Sequence, residues 1–213
     1  TRPEEKMYIV IEGQDGTGKS TQARLLKEYF ENQGKEVVVM DEPDGDLPQA
    51  HDIHDLILIK GKEYQLEPVT NLLLFTAARV ELWRKSAEPV LRRGGVVISA
   101  RNWWSTLAYQ GYARHIGVED VMSINQFAIE AYMPDKTIYL DVTPEEGLKR
   151  ISDRAYLDRL DQEKLSFHMD VWNGYREIIE RYKDRMILID ASKSVEEVTE
   201  AAYQAVKRIL DEA

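Results

Sequence analysis

Five short apolar runs recur along the chain, and each is bounded by glycine, proline or charged residues. Runs of this length, rich in valine and isoleucine and without a polar side, are typical of strands that are buried on both faces. In chain order they predict strands at Met7–Glu12, Glu36–Met40, Val96–Ala100, Lys136–Val142 and Arg185–Asp190.

The segments between these runs place apolar residues at the spacing of helices. They predict helices at Lys19–Gly34, Ile53–Lys60, Val69–Trp83, Ala87–Arg93, Val118–Met133, Glu163–Tyr182 and Val195–Leu210, with others ending near Tyr109 and beginning at Pro144. Val69–Trp83 is apolar almost all round, so we expect it to pack against other helices or a partner. The alternation of strands and helices predicts an α/β fold, with a five-stranded parallel sheet flanked by helices in one domain of residues 7–213.

Composition excludes several classes of function. The 213 residues include 28 Lys and Arg against 38 Asp and Glu, which gives a formal net charge of −10. This balance argues against binding to nucleic-acid polymers or anionic membranes. The absence of cysteine rules out disulfides and fits a cytoplasmic protein. Residues 1–6 are charged and lack the apolar core of a secretory signal, so we expect a tail or a cloning remnant there.

A glycine-rich turn between the first strand and the first helix carries the clearest chemistry. Gly13–Ser20 reads GQDGTGKS and fits the pattern G-x-x-x-x-G-K-[ST]. The backbone N–H groups of such a loop surround phosphates, and the positive end of the helix dipole faces them. Lys19 is placed to reach the β- and γ-phosphates and Ser20 to bind Mg²⁺. The loop therefore predicts a P-loop NTPase-type fold that uses ATP and Mg²⁺.

Candidate acceptor residues follow on later elements, each with a purely structural alternative. Phe75 and Arg79 lie four residues apart on one helix face, where they suit either a nucleobase or a core position with a surface-reaching arginine. Arg101 follows the third strand, where it suits either a bound phosphate or an exposed structural role.

An arginine-rich segment at about residues 150–161 is a candidate lid. Arg150, Arg154 and Arg159 are placed either to close over a triphosphate or to form a solvated charged surface.

Several of these motifs together resemble the thymidylate (dTMP) kinase family from about Met7 to the C-terminus. They are Gly13–Thr21, Glu42-Pro43, Leu73-Leu74-Phe75 with Arg79, Ser105–Gly111 (STLAYQG), Tyr139–Val142 and Leu157-Asp158-Arg159. The resemblance implies a P-loop kinase with five parallel strands and a short lid. It implies the reaction of ATP with dTMP to give ADP and dTDP, with Mg²⁺, in a homodimer formed through helices.

The resemblance also implies roles for individual residues. The ATP site would comprise Gly13, Gln14, Asp15, Gly16, Thr17, Gly18, Lys19, Ser20 and Thr21, with Ser20 on the metal. The dTMP site would comprise Asp15, Glu42, Pro43, Phe75, Arg79, Arg101, Ser105, Thr106, Tyr109 and Gln110. The catalytic residues would be Asp15, Lys19, Arg101, Arg154 and Arg159.

For four of these residues, the resemblance implies contact with a particular part of the substrate. Phe75 would stack on thymine, Arg79 would bond its edge, Tyr109 would crowd the 2′ position, and Asp15 would meet the 3′-hydroxyl. Gly16 stands where some members carry a loop arginine, so the catalytic arginine is expected in the lid.

Two departures from the family pattern affect the phosphate site. Ala100 stands where the family has aspartate, and Asp41 stands where an arginine usually precedes Glu-Pro. From Ala100 we expect a working enzyme with a raised Mg²⁺ requirement. Two alternatives remain open: a deoxynucleoside kinase with Glu42 as general base, and a nucleotide-binding regulatory module with weakened catalysis.

Overall fold

The computed structural model describes residues 6–61, 63–129, 132–152, 160–161 and 163–212. Five strands form one parallel sheet in the order β2-β3-β1-β4-β5. They are β1 (Met7–Glu12), β2 (Val37–Asp41), β3 (Val96–Ala100), β4 (Lys136–Asp141) and β5 (Met186–Asp190). The predicted α/β class and five-stranded parallel sheet are confirmed, with the strand ends shifted by at most one residue.

Helices cover both faces of this sheet. They are α1 (Lys19–Glu31), α2 (Pro48–His54), α3 (Pro68–Leu82), α4 (Glu88–Arg92), α5 (Trp103–Thr106), α6 (Val118–Ile129), α7 (Pro144–Ser152), α8 (Leu165–Arg181) and α9 (Val195–Glu212). The helix predicted at Ile53–Lys60 begins earlier, because Pro48 occupies the first helical position that proline favours. In the parts of the chain described, no helix combines the length and the apolar character needed to cross a membrane.

Wider helical turns extend three of these elements. Asp55–Ile59 continues α2, Trp83–Ala87 continues α3, and Leu107–Ala113 continues α5, all with π-helical hydrogen bonding. Such turns occur often at functional sites. The last of the three carries Tyr109 and Gln110 into the region beyond the strand ends.

The core lies on both sides of β1, because successive side chains of a strand point to opposite faces. Ile9 and Ile11 pack with α1 and α9, whereas Tyr8 and Val10 pack on the other face. Val69–Trp83 was expected to pack against other helices or a partner. Within the chain its burial is only partial, since Val69 is 53% and Leu73 is 52% exposed.

The carboxyl ends of β1, β2 and β3 meet at one edge of the sheet. Ile11 is the register partner of Ala100, and Ala100 is in turn the partner of Asp41. Ligands of open α/β sheets bind at this edge, beyond the strand ends. The fold therefore brings the glycine-rich turn after β1 close to the segments that follow β2 and β3.

Candidate active site

An open cavity of about 380 Å³ lies at this edge, within the size range of small-molecule sites. Most of the sequence-predicted site residues line it. They are Asp15, Gly16, Gly18, Lys19, Ser20, Thr21, Glu42, Pro43, Phe75, Arg79, Arg101, Ser105, Thr106, Tyr109 and Gln110. The cavity thus joins the phosphate loop to the candidate acceptor residues in one continuous space.

Glycines with positive φ values determine the backbone shape of the phosphate loop. Gly16 and Gly18 adopt φ values of 80° and 89°, which side-chain-bearing residues rarely take. A Cβ atom on Gly16 would lie 2.4 Å from the Gly147 carbonyl oxygen, so this position accepts no arginine in the observed backbone. Gly18 precedes α1, and the first three residues of α1 line the cavity, so that a helix N-terminus, which favours anions, lies beside it.

Lys19, the first residue of α1, is 8% exposed, and its ammonium donates to the Gln14 carbonyl oxygen at 2.6 Å. Burial, reinforced by the nearby Arg101 charge, lowers the pKa of Lys19 to about 7, although Asp15 opposes this shift. An incoming polyphosphate would favour the charged form. Without a bound anion, Lys19 is therefore only partly charged near neutral pH.

Asp15 and Arg101 both line the cavity and form an ion pair with each other. The Tyr109 hydroxyl donates to the second carboxylate oxygen of Asp15 at 2.8 Å, and Arg101 donates to Ser105 at 3.2 Å. Burial alone would raise the pKa of Asp15, but Arg101, Lys19 and the tyrosine hydrogen bond lower it to about 2. Asp15 is therefore ionised at neutral pH.

The backbone at Arg101 is itself unusual. Its φ of 74° lies in the left-handed region, which costs a residue with a side chain of order 1–3 kcal/mol. Its N–H donates to the Ile11 carbonyl oxygen at 2.9 Å, which fixes the turn after β3 against β1. Strain of this kind persists where neighbouring structure enforces it, and here it turns the guanidinium into the cavity.

Arg79 on α3 is 4% exposed and anchored by side chains from three other segments. It donates to Glu42 at 2.7 Å, to Asn125 at 2.7 Å and to Thr106 at 2.9 Å. Burial raises the pKa of Glu42 in spite of the arginine beside it. Because three partners fix its guanidinium plane, Arg79 presents its remaining N–H groups to the cavity in one orientation.

Glu12 was missed in the sequence analysis, although it supports this whole region. It is fully buried at the end of β1 and accepts hydrogen bonds from the backbone N–H groups of Asn102 and Ser105, at 2.9 and 3.1 Å. The Ser105 and Tyr175 hydroxyls donate to its other oxygen at 2.8 and 2.7 Å. The available signal was a carboxylate that ends an otherwise apolar strand directly before the glycine-rich turn.

The remaining predicted residues lie elsewhere. Gly13, Gln14 and Thr17 belong to the phosphate loop but do not line the cavity, and they are buried beneath it. Arg154 and Arg159 lie outside the described residues.

The purely structural interpretation of Phe75 and Arg79, a core phenylalanine and a surface-reaching arginine, does not fit fully. Phe75 is half-buried at the cavity wall, and Arg79 is buried rather than surface-reaching.

The chain is similar in sequence and in fold to known proteins of one family. A family model described as thymidylate kinase matches residues 11–202. The thymidylate kinase of Bacillus velezensis is 41% identical over 206 residues, 96% of each chain, and that of Clostridium novyi is 41% identical over 195 residues, 91% of this chain and 94% of its own. The crystal structure of thymidylate kinase from Ehrlichia chaffeensis matches with a TM-score of 0.76 at 28% identity, over 95% of this chain and 99% of that chain.

Proposed function

The chain belongs to the thymidylate kinase family, and from that membership we infer that it transfers the γ-phosphoryl group of ATP to dTMP, giving ADP and dTDP. The observation that carries this inference is the shared cavity, which residues of the phosphate loop line together with Phe75 and Arg79. Relatives named thymidylate kinase at 41% identity do not favour a deoxynucleoside kinase or a regulatory module.

The phosphate end of the cavity is the proposed ATP site. Residues 13–21 would surround the β- and γ-phosphates with backbone N–H groups, and Lys19 would neutralise charge on the oxygens. Mg²⁺, which the family uses with ATP, would be held by Ser20 and would supply Lewis-acid stabilisation of the phosphate charge. Ser20 and Asp41, which line the cavity, carry hydroxyl and carboxylate oxygens, and Mg²⁺ prefers oxygen ligands of this kind.

ATP binding should be coupled to protonation of Lys19. Because burial and Arg101 lower the pKa of Lys19 to about 7, the side chain is mostly neutral at pH 8 in the free protein. Bound polyphosphate would restore the charged form, so binding at pH 8 should take up about one proton. Calorimetry in buffers of different ionisation enthalpy measures this uptake.

The matched control is Lys19→Arg, whose guanidinium stays charged at every pH tested. It should bind ATP without proton uptake at pH 8. Equal uptake in the two proteins would assign the proton to another group.

The other end of the cavity is the proposed dTMP site. Phe75 would stack on the thymine ring, while Arg79 and Thr106 would bond its polar edge. Tyr109 would fill the space of a 2′-hydroxyl, and Asp15 would accept from the 3′-hydroxyl. The other members of this proposed site are Glu42, Pro43, Ser105 and Gln110.

Phosphoryl transfer needs cations around the transferred group rather than a covalent intermediate. Arg101, which holds Asp15 and Ser105 in the described structure, would turn its free N–H groups to the dTMP phosphate. Lys19 would hold the donor phosphates in line with the acceptor. The proposed lid arginines Arg154 and Arg159, which lie outside the described residues, would add charge over the triphosphate.

A panel of nucleoside monophosphates, each offered with ATP and Mg²⁺ in a coupled ADP-release assay, tests the proposed function. The highest kcat/KM should belong to dTMP, and thymidine itself should not be phosphorylated. Phosphorylation of thymidine in preference to dTMP would instead support the deoxynucleoside kinase.

Phe75→Ala should raise the KM for dTMP far more than the KM for ATP. Stacking of a base on an aromatic ring is worth ~1–3 kcal/mol, which corresponds to roughly 5- to 150-fold in KM. Steady-state kinetics with each substrate varied in turn measure the two constants, and a melting curve records any loss of packing.

Tyr64→Ala is a suitable control, because this exposed aromatic residue lies outside the cavity. It should leave both KM values unchanged. Equal weakening of both substrates in Phe75→Ala would make Phe75 a packing residue only.

A homodimer is the proposed assembly. Val69 and Leu73 on α3 are about half exposed, and Phe127 on the neighbouring α6 is 89% exposed. Large apolar side chains on adjacent helices commonly mark a protein interface. Light scattering coupled to size-exclusion chromatography should give the dimer mass for the wild type and the monomer mass for Leu73→Glu.

A further inference from the structure

Asp41 and Ala100 lie side by side at the ends of β2 and β3. They are register partners in a parallel pair, so their side chains leave the sheet on the same face, toward α1. Ala100 is fully buried in the apolar cluster that includes Ala23, whereas Asp41 is exposed and lines the cavity. Of these two register partners, Asp41 on β2 carries a carboxylate and Ala100 on β3 does not.

Asp41 is joined to the phosphate loop by a hydrogen bond from Ser20, whose Oγ lies 2.8 Å from Asp41 Oδ2. A hydroxyl that binds Mg²⁺ does so through a lone pair of its oxygen, so its proton needs a separate acceptor. Asp41 is that acceptor in the described structure. Hydroxyl and carboxylate oxygens are hard donors, and the pair therefore fits the ion that P-loop enzymes use with their nucleotide.

The other acidic residues that line the cavity are engaged elsewhere. Asp15 and Glu42 each form an ion pair with an arginine, and Asp44 pairs with a histidine. Within the described ranges, Ser20 is the hydrogen-bond partner of the Asp41 carboxylate. Asp41 thus combines contact with the loop hydroxyl and a carboxylate that forms no ion pair with an arginine of the described residues.

We propose that Asp41 is the positioning carboxylate of the Mg²⁺ site. It orients the Ser20 hydroxyl for metal binding and supplies negative charge beside the ion. The inference rests on the proposed function, because it concerns the ion that accompanies ATP. It also revises the expectation drawn from Ala100: with the carboxylate supplied from β2, the Mg²⁺ requirement should be ordinary rather than raised.

The test compares the Kd for ATP in Mg²⁺ with the Kd in EDTA, by calorimetry and without dTMP, so that turnover is not needed. In Asp41→Ala, the ratio of the Kd in EDTA to the Kd in Mg²⁺ should fall ~10–100-fold. The Kd in EDTA should stay the same or decrease, because a negative charge near the triphosphate is gone. A residue that only supported the loop would weaken binding equally in both conditions.

Two further variants sharpen the result. Asp41→Asn retains an oxygen acceptor for Ser20 but loses the charge, so its ratio should lie between those of the wild type and Asp41→Ala. Asp44→Asn removes a carboxylate from the same cavity that does not contact Ser20, and it should leave the ratio unchanged.

An unchanged ratio in Asp41→Ala overturns the proposal, and so does an equal loss of affinity in Mg²⁺ and in EDTA. These outcomes differ from failure of the proposed function. If the wild type binds no ATP in either condition, the nucleotide site itself is wrongly assigned. If it binds ATP but does not phosphorylate dTMP, the acceptor is wrongly assigned while the metal inference stands on its own data.

Discussion

Lys19→Ala should lower kcat by ~10²–10³-fold or more while the protein remains folded. The ammonium lies at the start of α1, beside the loop where the negative charge of the transferred group must be stabilised. Its removal should not destabilise the fold, since burial already disfavours its charge and lowers the pKa of Lys19 to about 7. Steady-state kinetics and a melting curve measure the two effects separately.

Lys27→Ala provides the matched control. Lys27 belongs to the same helix and is also a lysine, but its side chain is 42% exposed and pairs with Glu31 at 3.7 Å. Its replacement should leave kcat near the wild-type value, because a surface ion pair contributes little. A Lys19→Ala enzyme that keeps near-native kcat would refute the phosphate-loop assignment, and an equal loss in both variants would point to α1 rather than to the lysine.

The sheet could be predicted because each strand is an apolar run that no helix period explains. Both faces of a parallel sheet are covered, so the signal in Val96–Ala100 is continuous and its ends are sharp. The second strand is displaced by one residue from the prediction. It includes Asp41 because the ladder with β3 continues to Ala100, and this pairing between strands leaves no local trace in the sequence.

The wide helical turns could not be predicted, because their cause is tertiary. The helix expected to end near Tyr109 continues to Ala113, where its turns pack against α8. Gly174 on α8 makes this approach possible, since a Cβ atom there would lie 2.8 Å from the Cβ atom of Tyr112. Periodicity along one helix carries no information about a close approach of this kind.

The phosphate loop was predictable for a different reason: its function constrains the local sequence. Gly13, Gly18 and Lys19 are required at fixed spacing by the backbone that surrounds a phosphate. The acceptor end has no such local rule. Arg79 was singled out as a candidate base contact, but its anchoring by Glu42 and Asn125 depends on residues far apart in the chain.

Arg79→Met should destabilise the protein by ~3–5 kcal/mol, because it leaves the Glu42 carboxylate buried without its cation. For a chain of this size, the melting temperature should fall by roughly 6–20 °C. Arg93→Met is the control: Arg93 also forms an arginine–glutamate pair, with Glu36, but both side chains are about half exposed. Its melting temperature should change far less.

The pH dependence separates the loss of the ion pair from a simple loss of packing. Burial raises the pKa of Glu42, and removal of the Arg79 charge, which opposes that shift, should raise it further. A group whose pKa is higher in the folded than in the unfolded state costs stability as pH rises through that pKa. The deficit of Arg79→Met relative to the wild type should therefore be larger at pH 8 than at pH 5, and a pH-independent deficit would assign it to packing.

The double variant Arg79→Met/Glu42→Gln then distinguishes anchoring from recognition. The amide that Glu42→Gln introduces is neutral and does not need a buried cation, so most of the lost stability should return. Affinity for dTMP should not return with it, because the guanidinium that the proposed function assigns to the base edge is still absent. If dTMP binding recovered together with stability, Arg79 would serve only to hold Glu42 and the wall of the cavity, and base recognition would have to be reassigned to other residues of the pocket.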